Sequence, residues 1–152
     1  MLENIEQVIR DYLPQIIHLS LGTSKENKPW VCEVTFAYDD NLNLYFRSRT
    51  TTRHCQEIAE NKLVSGSIVT QHVGEEKPRG IYFEGECEMV NDSTVSKAIE
   101  TYIKRFSVGN ESMEAKNRDP GHRFYVIKVS KFFVFDARES QPPHKYELEW
   151  GK

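Results

Sequence analysis

Residues 44–61 read LYFRSRTTTRHCQEIAEN, and the fold is read outward from this stretch. Leu44, Tyr45 and Phe46 are strand formers. Thr50, Thr51 and Thr52 make a polar break, and the run from Arg53 has helical spacing. The stretch holds Arg47, Arg49, Arg53 and His54, yet no acidic residue lies between Asp40 and Glu57. A helix start presents free backbone N–H groups and the positive end of the helix dipole. Arg53 and His54 in the first turn are therefore unfavourable by about 0.3–1 kcal/mol per exposed charge. A bound anion reverses that sign. It would accept hydrogen bonds from the N–H groups, from Ser48 and the threonine hydroxyls, and from arginine forks. A phosphate monoester suits such a site, being nearly dianionic at neutral pH with three acceptor oxygens. The plainer reading is a solvated surface with Thr52 as an ordinary N-cap, and spacing alone does not choose between the two.

On either side, hydrophobic period sets the elements. Leu2, Ile5, Val8, Ile9, Tyr12 and Leu13 recur at helical spacing before Pro14. IIHLSLGT alternates as a strand, SKENKP turns, and WVCEVTFAY places Trp30, Cys32, Val34, Phe36 and Tyr38 on one face. DDNLN closes a hairpin into LYFRS. Downstream, LVSGSIVTQ and GIYFEGECEMV are strands. In the second, Ile81, Phe83, Gly85, Cys87 and Met89 oppose Tyr82, Glu84, Glu86 and Glu88. Asn91 or Asp92 is expected to cap a helix through Phe106. A polar, partly helical segment then leads to RFYVIKVSKFFVFDA, a long strand expected to bend near Ser130. The Pro-interrupted tail RESQPPHKYELEW is expected to be extended. Six short, mostly antiparallel strands favour a closed or nearly closed barrel, which removes exposed edges. With its short flanking helices the class is α+β.

A chain of 152 residues suits one domain, here residues 1–152, and needs no disulfide or metal to fold. Net charge is −3 with a pI near 6.0, which argues against a nucleic-acid binder. The basic cluster is local and fits a small anion. Cys32, Cys55 and Cys87 are odd in number and form no CxxC pair, so neither a disulfide framework nor a zinc site is indicated. The five histidines are scattered without a metal-ligand spacing. No run of 18 apolar residues occurs, so no membrane-spanning helix is expected. The N-terminus has acids and no apolar core, which reads as no signal peptide and as a cytoplasmic protein.

The run LYFRSRTTTRHCQEIAENKLVSGSI resembles the flavin phosphate segment of the pyridoxamine 5′-phosphate oxidase-like family, the FMN-binding split barrels. PWVCEVTFAYDDNLNLYF resembles the preceding hairpin of that family, and GIYFEGECEMV a later barrel strand. The whole chain is most similar to the small YhbP-like branch. The resemblance implies FMN as cofactor, with Arg47 and Ser48 near the ribityl chain and phosphate, and Thr52, Arg53 and His54 at the phosphate. It implies that Val31, Cys32, Glu33, Val34 and Thr35 run along the isoalloxazine ring, often through backbone atoms. It implies a homodimer with flavin at the interface, late residues near Phe132 or Trp150 reaching the partner's flavin, and a small-molecule substrate or electron donor. Neither nucleic acid nor membrane is implied. The true oxidase has a C-terminal basic and aromatic segment for its product, which HKYELEWGK does not match.

Two function classes follow. One is a flavin-dependent oxidoreductase, in which the flavin does the redox chemistry and the catalytic side chains are unspecified. The other is a non-catalytic split-barrel module that stores or senses flavin or another anionic cofactor such as haem. Glu33 and the row Glu84, Glu86 and Glu88 read as solvated strand faces. Trp30, Phe36, Phe46, Phe83, Phe124, Phe133 and Phe135 read as barrel core.

Overall fold

The structure is a computed structural model and describes residues 4–109, 121–140 and 142–151. Leu2, and most of the polar segment expected between Phe106 and Arg123, lie outside those residues. The chain opens with α1 (Ile5–Tyr12), capped by the Asn4 side chain, and a short 3₁₀ turn (Leu13–Gln15) containing Pro14. Strands β1 (His18–Lys25), β2 (Lys28–Tyr38) and β3 (Leu44–Arg49) follow, then α2 (Arg53–Glu60). After them come β4 (Leu63–Val69), β5 (Arg79–Met89), α3 (Val95–Phe106), β6 (His122–Asp136) and β7 (Lys145–Glu149).

One antiparallel sheet runs β3-β2-β1-β4-β5-β6-β7, and β3 also pairs with β6. That extra pairing closes six strands into a ring, as the strand count predicts. β6 is long enough to serve two partners on one edge: residues 122–127 pair with β3 and residues 131–135 with β7. Ser130 lies between them as the extra residue of a bulge against Glu84 and Gly85, with its hydroxyl donating to the Glu84 carbonyl at 3.1 Å. The bend expected there is thus a β-bulge. The extended tail supplies β7, a seventh strand outside the ring.

Alternation fills the ring. Leu19, Leu21, Val34, Phe36, Phe46, Ile68, Ile81, Phe83, Ile127 and Phe132 form its core with α1. A second core lies on the outer side of β3 and β6, where α3 packs Ala98 and Tyr102 on Ala37, Tyr45, Phe124 and Val126. α3 starts later than expected. Asn91 Oδ1 accepts the Thr94 N–H at 3.1 Å in a turn that precedes the helix. The aromatic set divides: Phe36, Phe46, Phe83 and Phe124 are buried, Phe133 and Phe135 are half-buried, and Trp30 is exposed. Reading Trp30 as core fails because it stands near the free end of the β1–β2 hairpin, beyond the ring's filling.

Candidate functional site

β3 ends at Arg49 and residues 50–52 turn the chain into α2. Thr52 is the N-cap: its hydroxyl donates to the Arg49 carbonyl at 2.9 Å and accepts the Cys55 N–H at 3.4 Å. No acid occupies the first turn. His54 turns inward beneath the turn. Its Nε2 lies 2.9 Å from Ser48 Oγ and 3.4 Å from Thr52 Oγ1, and its ring centroid is 6.0 Å from that of Phe46. Ser48 and His54 are both buried. Burial holds the His54 pKa below its ordinary 6.5, because a cation there would lose its hydration. At neutral pH the ring is therefore the uncharged imidazole, with hydroxyls as its hydrogen-bond neighbours.

Arg53 departs from expectation. Its charge is not unsupported at the helix start: Nε donates to Glu57 Oε2 at 2.8 Å. Glu57 is buried, and its Oε1 accepts from the Thr23 hydroxyl at 2.8 Å. These hydrogen bonds, with Arg53 first among them, hold the Glu57 carboxyl below its ordinary pKa. The first acid after Asp40 is thus the partner of Arg53, one helical turn along. The pair is legible as an i,i+4 spacing. The Thr23 contact is not, since 34 residues separate Thr23 from Glu57. The guanidinium also lies over Trp30, 4.3 Å from its ring centroid.

Ser48, Thr52 and His54 are therefore brought together, with Arg53 at their rim. Arg47 is not. Neighbouring residues on a strand point to opposite faces. Ser48 points toward α2, while Arg47 lies on the α3 face, in register with Phe124, where its charge reaches the Tyr102 hydroxyl.

The stretch from Val31 to Thr35 has a distinct geometry. Glu26 and Asn27 both take positive φ, 51° and 63°, and make a two-residue hairpin turn. That turn fixes Lys25 opposite Lys28 as a hydrogen-bonded pair, and such pairs then recur at every second residue. Trp30, Cys32 and Val34 thus direct their backbone groups to β1. Val31, Glu33 and Thr35 direct theirs to the other edge. On that edge β3 pairs only with Phe36, Ala37 and Tyr38. The Tyr102 hydroxyl donates to the Thr35 carbonyl at 3.0 Å. Among the described residues no strand pairs with the edge at Val31 and Glu33. Of the five residues expected along a flavin ring, Cys32 and Val34 send their side chains into the ring core and their backbone groups to β1. The Glu33 carboxylate accepts a hydrogen bond from Ser20 on the outer face.

A broad cleft of about 1310 Å³ borders this region, lined by Trp30, Val31, Leu63, Lys128 and Trp150 among others. Phe132, by contrast, is fully buried against Trp150 within its own chain. Among the described residues no three His, Cys, Asp or Glu side chains converge as a metal site. No described helix is long and apolar enough to cross a membrane.

Comparison with known proteins bears on this geometry. The family described as pyridoxamine 5′-phosphate oxidase matches residues 5–135. The chain belongs to the pyridoxamine 5′-phosphate oxidase family. A UPF0306 protein from Klebsiella pneumoniae is 29% identical over 86 residues, which is 56% of this chain. The matched stretch spans 58% of the length of that relative. A conserved hypothetical protein from Mycobacterium tuberculosis superposes with a TM-score of 0.75 at 16% identity, covering 98% of this chain and 93% of that one. The heme storage protein HutZ from Vibrio cholerae gives 0.69 at 16% identity, covering 97% and 96%. The ring of β1 to β6, parted where β2 leaves β3, is the split barrel of the family. The resemblance to the family holds.

Proposed function

We propose that this chain binds FMN as a homodimer and works as a flavin-dependent oxidoreductase on a small molecule. One observation carries the reading. A stretch of β2 backbone that no strand pairs among the described residues starts beside the first turn of a helix that has basic residues and no acid there. FMN needs both features: donors and acceptors for the polar edge of a flat ring, and an anion site within reach of it. The donor set fits a phosphate in part. Ser48, Thr52, His54 and the first N–H groups of α2 supply short polar contacts, and Arg53 supplies a fork at the rim. Arg47 has no place in that set. Val31, Glu33 and Thr35 would meet the ring edge through backbone atoms, with Cys32 and Val34 holding the strand in place behind them.

When bound, the flavin would supply the electron-transfer chemistry, and the protein would supply binding, orientation and local polarity. The dimer part of the proposal rests on an exposed outer face of β1, β2 and β4. Val31 and Leu63 are each 62% exposed there, beside Gly22 and Ser65 on the same surface. Apolar side chains bordering small ones suit close sheet-to-sheet approach. Lys128, Glu84, Glu86 and Glu149 border the cleft as well, so a second copy would meet a mixed rim.

Likeness to HutZ supplies the competing reading, a non-catalytic module for haem. At 16% identity that likeness speaks for the fold. The visible spectrum of the purified protein separates the two, followed by titration with FMN, riboflavin and hemin, and by NADH and NADPH. Tight FMN binding and reduction of the bound flavin by a nicotinamide or another donor are expected. Hemin binding without any FMN binding would overturn the proposal. Bound FMN that no donor reduces would leave a flavin carrier.

A further inference from the structure

Trp30 is a large indole left 38% exposed at the start of β2, and its neighbours account for its place. The Arg53 guanidinium lies 4.3 Å above its ring. Arg53 Nε donates to Glu57 at 2.8 Å, and Glu57 is held in turn by the Thr23 hydroxyl at 2.8 Å. Thr23 is the β1 residue directly opposite Trp30 in the hairpin. Three elements thus converge on one side chain: β2 supplies a flat surface, β1 fixes the carboxylate, and α2 supplies both Arg53 and Glu57. With Nε engaged and one face on the indole, the donors left to a ligand are the two terminal nitrogens of the fork. A solvated arginine loses much rotamer freedom when it grips an anion, whereas one already held in place loses little.

We infer that Trp30 is a positioning residue: its indole face holds the Arg53 fork toward a phosphate monoester at the start of α2. The inference rests on the FMN reading and deepens it. It assigns part of the preference for FMN over riboflavin to a residue that carries no charge. An indole that instead touched the flavin ring, or merely kept β2 folded, would act on both ligands alike.

The test measures dissociation constants of FMN and riboflavin by flavin fluorescence for the wild type, Trp30→Leu and Trp30→Phe, with apo melting curves alongside. Neither substitution alters charge, so electrostatic effects of removing a carboxylate or a cation do not enter. Trp30→Leu is expected to weaken FMN about three- to thirty-fold, the range of a cation–π contact between exposed and desolvated. Riboflavin binding should stay within twofold, and Trp30→Phe should recover most of the loss. Unchanged FMN affinity in Trp30→Leu, equal loss of both ligands, or no recovery with Phe each overturns the inference while leaving FMN binding intact. A wild type that does not prefer FMN overturns the function proposal and this inference together. Should Trp30→Leu not fold, inorganic phosphate titrated into a Trp150→Phe background reads the same contact. The remaining indole emission must respond, and a flat signal overturns the inference.

Discussion

FMN binding should take up a proton at His54. The ring is buried, 2.9 Å from Ser48 and 3.4 Å from Thr52, and the nearest carboxylate on its helix, Glu57, already serves Arg53 and Thr23. Among the described residues no acid is thus at hand to favour the imidazolium in the apo protein, and burial holds the pKa below 6.5. Folding therefore favours the neutral ring. As the pH falls below 6.5 the unfolded chain takes up the proton first, and the apo protein loses stability. A phosphate dianion at the start of α2 has the opposite effect, since it stabilises the imidazolium. Affinity for FMN should then rise as the pH is lowered, with a slope of at most one proton. That limit is about tenfold per pH unit, or about thirtyfold between pH 8 and 6.5. Below about pH 6 the phosphate itself gains a proton and the rise should stop. The assay is FMN titration by fluorescence from pH 5.5 to 8.5 in the wild type and in His54→Gln. Glutamine can still bond to Ser48 but cannot titrate. The phosphate contributes equally to both curves, so their difference isolates His54. A flat wild-type curve above pH 6.5, or the same slope in His54→Gln, refutes the reasoning.

Arg53→Ala should weaken FMN about ten- to a hundredfold and leave riboflavin unchanged, as removal of a charged hydrogen bond does. Its apo melting temperature should fall rather than rise, because buried Glu57 loses its partner; the drop should shrink as the pH falls below the ordinary glutamate range and through the depressed pKa of the Glu57 carboxyl, and scanning calorimetry across pH checks both. Leu63→Glu together with Val31→Lys should convert the proposed dimer to monomer in light scattering at micromolar concentration, and an unchanged mass would move the interface elsewhere. Phe46→Ala removes a fully buried ring stacked on Tyr125 at 5.2 Å, and urea unfolding should register a loss of about 3–5 kcal/mol.

Much of the fold was written locally. Away from the strand ends at Trp30 and Met89, alternation in WVCEVTFAY, LYFRS and GIYFEGECEMV determined which side chains fill the ring, because a strand has only two faces and water decides between them. The polar break at residues 50–52 determined a helix start, since Thr52 supplies the acceptor that the first N–H groups need. The resemblance of residues 44–68 to a flavin phosphate segment pointed to the family.

What remained depended on residues far apart in the chain. Six strands could be counted, but closure of the ring required β3 and β6 to meet, and the tail became a strand because β3 pairs only with residues 122–127 and leaves residues 131–135 of β6 an open edge. The family resemblance implied one site for Arg47 and Ser48, whereas the pleat of β3 sends them to opposite faces. Spacing left the Arg53 charge unsupported, whereas packing of α2 against β1 and β2 buries Glu57 beneath it and lays it over Trp30. A charge in sequence is only a formal count. Its partner, its hydration and its direction are set by which surfaces the hydrophobic core brings together, and these become fixed only when the ring closes.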